Sequence, residues 1–78
     1  MTAGEFRRAA GENVHDYPER EGSFCIFPPL QVVHNRTGKV HSVDIVDESG
    51  QAPGWIHLKE IDEWVDGGPY KLAPKIEK

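Results

Sequence analysis

An α+β fold is the class this sequence predicts: a small antiparallel sheet of three to four strands with a central hairpin, packed against one short C-terminal helix, plus a short N-terminal helix. Three observations predict it. Apolar and polar residues alternate on either side of Arg36-Thr37, the pattern of a half-buried hairpin. Thr2 followed by Glu5 matches a capping box, in which each side chain accepts from the other residue's backbone amide. Leu58, Ile61, Trp64 and Val65 fall at helical spacing ahead of Gly67-Gly68-Pro69, a helix-stopping run.

The capping box starts a helix from Ala3 to about Ala10, ended by Gly11. Its only large apolar residue is Phe6, so it persists only if it packs on something else. Glu12 to Gly22 has the composition of an irregular arm with Val14 and Tyr17 as anchors. Ser23 to Phe27 reads as a strand that Pro28-Pro29 breaks. Leu30 to Asn35 and Gly38 to Asp47 form the hairpin, with Gly38 at a left-handed or bulged position. Pairing Asn35 with Gly38 places Leu30 opposite Val43. Leu30, Val32, Val43 and Ile45 then share one face, with Gln31, Val33, Val40, Ser42 and Asp44 on the other. A turn from Glu48 to Gly54 leads to a short strand, Trp55 to Leu58, then to the helix. Tyr70 to Leu72 adds an edge strand. The domain reading is residues 1–22 as helix and arm, 23–72 as the core, and 73–78 as a flexible tail.

With 78 residues, the chain is near the lower limit for folding alone. Cys25 is its single cysteine, which excludes an internal disulfide and fits a buried small hydrophobe in a reducing cytoplasm. Met1 to Glu12 lacks the apolar stretch of a secretory signal, and the longest apolar run, Phe24 to Pro29, is too short to span a bilayer. The expectation is a cytoplasmic protein with no membrane partner.

A net charge of −4 argues against direct nucleic-acid binding through phosphates. Residues 44–66 carry Asp44, Asp47, Glu48, Glu60, Asp62, Glu63 and Asp66 against one base, Lys59, whereas the hairpin turn (Arg36, Lys39) and the C-terminal tail (Lys71, Lys75, Lys78) are basic. His34 and His41 fall on one face as diagonal neighbours, but two histidines with no second cysteine do not make a structural zinc site, so no metal is expected. His15 and His57 have no evident companions. Nucleophile elbow, phosphate loop and catalytic triad spacings are all absent, and no cofactor or catalytic residue is expected.

What remains is a binding surface. Asp44, Asp47, Glu48, Trp55, Glu60, Asp62, Glu63 and Asp66 form the candidate partner-binding set. Carboxylates along the helix stand in for backbone phosphates, and a tryptophan anchors beside them. The expected partner is a protein with a basic surface, such as the nucleic-acid groove of an enzyme. In size, charge and type the chain is similar to mobile-element products that block restriction or CRISPR machinery. Two other readings stand beside this inhibitor or decoy. The run Gly54-Trp55-Ile56 resembles the way SH3-like barrels place an aromatic beside a late strand, which implies a peptide-binding adaptor. An exposed sheet edge implies a homodimeric accessory subunit. Reversing Glu60, Glu63 and Asp66 together is expected to leave folding nearly unchanged, at under about 0.5 kcal/mol each.

Overall fold

The computed structural model describes residues 1–49 and 54–73. One helix, α1 (Ala3–Ala10), runs into a single 3₁₀ turn (Gly11–Asn13). Six strands follow: β1 (Val14–Asp16), β2 (Ser23–His34), β3 (Val40–Asp47), β4 (Trp55–Leu58), β5 (Glu63–Asp66) and β6 (Tyr70–Leu72). They form one antiparallel open sheet in the order β1-β2-β3-β4-β5, with β6 returning to pair with β2. β1 and β6 take different stretches of β2, at Phe24–Ile26 and Val32–His34.

The α1 capping box forms as its sequence requires. Thr2 Oγ1 accepts from the Glu5 amide at 3.2 Å, and Glu5 Oε1 accepts from the Thr2 amide at 2.9 Å. Gly11 ends the helix at φ 58°. Phe6 supplies the packing that so short a helix needs: it is fully buried and belongs to the core cluster with Ala3 and Ala10 of the helix and Phe24, Val43 and Ile56 of the sheet. Gly67 closes over it. A Cβ there would lie 3.1 Å from the Phe6 ring and 3.2 Å from Ile56, so a side chain at this position would crowd both.

The β2–β3 hairpin has the expected register, with Leu30 opposite Val43 and Val33 opposite Val40. Gly38 adopts φ 73° at the turn, as a left-handed glycine. Three expectations are corrected. The first is that Pro28-Pro29 ends a strand. Instead β2 runs on through it, and the ladder slips by three residues between Cys25 and Leu30. The prolines give no amide to the ladder, so the chain bulges there and pairing resumes beyond. The second concerns the arm, where Val14–Asp16 pairs with β2 and Val14 packs against the core.

The third correction is the C-terminal helix, which is absent: residues 58–66 form a strand, a turn and a strand. Leu58 is buried opposite Val43, Ile61 sits in the turn with 47% of its surface exposed, and Trp64-Val65 pair with His57 and Ile56. Four apolar residues at helical spacing also suit a tight hairpin when the spacing straddles a turn. Branched and aromatic residues on both sides of the turn, and an Asp62 that takes φ 52°, decide for strands once β3 offers an edge to pair with. Among the described residues the sheet accordingly has six strands, not three or four.

The Glu48–Gly54 turn and the 73–78 tail fall largely on residues 50–53 and 74–78, outside those described. Among the described residues no helix is long and apolar enough to cross a membrane.

Candidate functional site

A single-residue bulge builds a polar cluster around His57. Between β3 and β4, Val43 pairs with Leu58 and Ile45 pairs with His57, so Asp44 is the extra residue on β3. The bulge turns Ile45 away from the core face that strict alternation would give it, leaving it half-buried on the outer face with His57. It also aims the Asp44 carboxylate at the imidazole. Asp44 Oδ1 lies 2.7 Å from His57 Nδ1, and Asp62 Oδ1, from the β4–β5 turn, lies 2.7 Å from His57 Nε2. The His57 side chain keeps only 12% of its exposure. Trp64, directly across in the ladder, leans on the ring with centroids 5.3 Å apart.

A second cluster abuts the first. Arg20, in the loop between β1 and β2, lies 4.3 Å from the centre of the Trp64 ring and donates from Nε to Asp47 Oδ2 at 3.0 Å. Asp47 Oδ1 accepts from the backbone amide and the hydroxyl of Ser49 at 2.8 and 2.6 Å. Bonds from Ser49, opposed by burial and aided by Arg20, hold the Asp47 carboxyl below the usual range. The loop is brought close by Gly22 at φ 81°, where any Cβ would collide with Ser49.

Burial disfavours a charged His57, but its bonds to Asp44 and Asp62 and their charges outweigh that, and the imidazole pKa is raised. A group raised in the folded state adds stability in full below its unfolded value of about 6.5, and that stability is lost as pH rises through the folded value. Unfolding stability should therefore decline between pH 6 and 9 in the wild type and decline less in His57→Gln, as read by urea titration at each pH.

The eight residues expected to bind a partner do not converge on one surface. Asp44 and Asp62 hold His57. Asp47 is buried under Arg20, and Glu48 pairs with Arg7 of α1 at 2.6 Å. Glu60 accepts from the Ser42 amide at 2.6 Å and faces His41 at 3.7 Å, so it is tied to β3. Glu63 lies opposite Leu58 and, after burial, helps push the Tyr70 phenol up, which puts it on the other side of the sheet from Trp64 and Asp66. Trp55 and Asp66 stay together, opposite one another in the ladder, with Trp55 half exposed. Asp66 also accepts from the Gly68 amide at 2.8 Å.

His34 and His41 do share a face, and both pack edge-on against Tyr70, at 5.0 and 6.3 Å. His34 Nδ1 is occupied by the Arg36 and Thr37 amides. Among the described residues no group of three potential ligands is arranged to hold a metal ion. Cys25 is half-buried and not disulfide-bonded.

Sequence reasoning missed the His57 cluster because it treated 58–66 as helix. Reading Trp55–Leu58 and Glu63–Asp66 as two strands of one hairpin would have set Asp62 at the turn beside His57. Comparison with known proteins finds no matching family model, curated protein or solved structure.

Proposed function

We propose that this chain is a protein-binding module that docks through the outer face of the β4–β5 hairpin onto a basic surface of a partner protein, in the manner of an inhibitor. One observation carries the reading: Trp55, half exposed, stands on a paired strand directly opposite Asp66, with Asp62 on the turn at the other end of the same hairpin. A large aromatic held on a rigid ladder beside a carboxylate supplies an anchor and a charge preference together. The extended phosphate-decoy form of the idea is narrowed, since Asp47 and Glu48 are matched by the chain's own arginines. The Trp55 anchor with Asp66 opposite it and Asp62 on the turn remains.

The test is retention of basic, nucleic-acid-binding proteins from a host lysate by the immobilised chain. The double variant Trp55→Ser/Asp66→Lys should lower affinity for a retained protein by more than about 30-fold, the scale of an interface hot spot. Wild-type binding should also fall at 0.5 M salt, on the order of several Debye-screened contacts. Equal retention by the variant would sink the reading.

A second reading is favoured by the replacement of the expected helix with strands. Gly54-Trp55-Ile56 leads into β4, a strand rather than the approach to a long helix, which keeps the likeness to an SH3-like peptide-binding adaptor open. A proline-rich peptide that perturbs Trp55 in a fluorescence titration would favour it over the inhibitor.

A further inference from the structure

His57 carries a carboxylate against each ring nitrogen, both at 2.7 Å. An ionised carboxylate only accepts hydrogen bonds, and a neutral imidazole has one N–H to give. The geometry is therefore satisfied in full by an imidazolium. On loss of the proton one of the two carboxylates must face a nitrogen lone pair. The two are not equivalent. Asp44 sits on the β3 bulge with its side chain 26% exposed, whereas the Asp62 side chain is 91% exposed on a turn and has water to receive it.

We propose that His57 is a proton-operated latch: charged, it ties Asp62 to the sheet; neutral, it keeps Asp44 and releases Asp62 as a free carboxylate on the turn of the Trp55 hairpin. The charged groups facing the ring are Asp44 from β3 and Asp62 from the turn. Trp64 of β5 covers it without titrating, and Arg20 beyond Trp64 is committed to Asp47. Glu60, in the same turn as Asp62, points to β3 and His41 instead. The effect on docking rests on the function proposed above, since it makes attraction for a basic partner rise with pH; the latch itself does not.

Imidazole ¹⁵N spectra of the intact chain from pH 5 to 9 test the latch. Both His57 nitrogens should carry protons at pH 6, the Ile61 and Asp62 amides should shift with the His57 midpoint, and Asp62→Asn should lower that midpoint. A His57 with one N–H throughout, or a midpoint indifferent to Asp62→Asn, overturns it. Nona-arginine at low salt then probes the face. Its affinity should rise roughly 1.5- to 5-fold across the midpoint in the wild type, the scale of one exposed charge pair, and stay flat in Asp62→Asn. Binding that ignores pH in the wild type would overturn the coupling of latch to face. No binding at any pH would count against the docking function, while the spectra alone decide the latch.

Discussion

Phe6→Ala should remove most of the stability of this protein, costing about 3–5 kcal/mol. At roughly 0.05–0.15 kcal/mol per residue, a chain of 78 residues has about 4–12 kcal/mol to lose. Phe6 is fully buried, and no other large residue of α1 reaches the core, where only Ala3 and Ala10 join it. Truncating it would empty the space beneath Gly67 and Ile56 and free a helix too short to stand alone. Equilibrium urea unfolding should show a sharply lower midpoint, and Phe6→Leu should recover part of it. An unchanged midpoint for Phe6→Ala would mean that α1 is not docked as described.

Asp47→Ala is the second large effect, expected at about 2–3 kcal/mol. The carboxylate is 6% exposed and accepts from Ser49 twice and from Arg20 once. Hydrogen bonds to a charged group contribute about 1.5–3 kcal/mol, whereas the Arg20 side chain, 48% exposed, adds under about 1 kcal/mol through solvent screening. Its pH dependence runs opposite to that of His57. A carboxyl held below its ordinary value contributes fully above its unfolded pKa, near 4, and the contribution is lost as pH falls through the folded value. Asp47→Asn should therefore flatten the acid limb of the stability profile between pH 5 and 2. It should do so only in part, because Glu5 and Glu60 are also held below the usual carboxylate range. Stability of Asp47→Asn equal to wild type at pH 7 would show that the loop between β1 and β2 closes without this carboxylate.

The two effects fall on different kinds of contact, and the same division separates what was legible in the sequence from what was not. The α1 cap, its Gly11 stop and the β2–β3 register are set by neighbours within a few residues, so they could be read directly. Asp44 and His57 are 13 residues apart, and Arg20 and Asp47 are 27 apart. Neither pairing has a local signal. His57 showed no companion in the sequence because both of its partners arrive through strand pairing, one carried by a bulge and the other by a turn residue at positive φ. The acidic run from 44 to 66 was correctly seen as a concentration of charge. Its division between two faces of the sheet, and its partial neutralisation by Arg7 and Arg20, were not visible there.

By itself, then, the sequence determined an α+β chain with a capped N-terminal helix, a central hairpin whose register is right from the turn to Leu30 and Val43, and a tryptophan-bearing acidic half. Only tertiary structure decided that residues 58–66 pair as strands, that Phe6 belongs to the core, and which carboxylates remain outward. The reason is one of range: alternation and capping are fixed by near neighbours along the chain, whereas a side chain's final partner depends on which strand lies beside it and on a single extra residue that changes the face it meets.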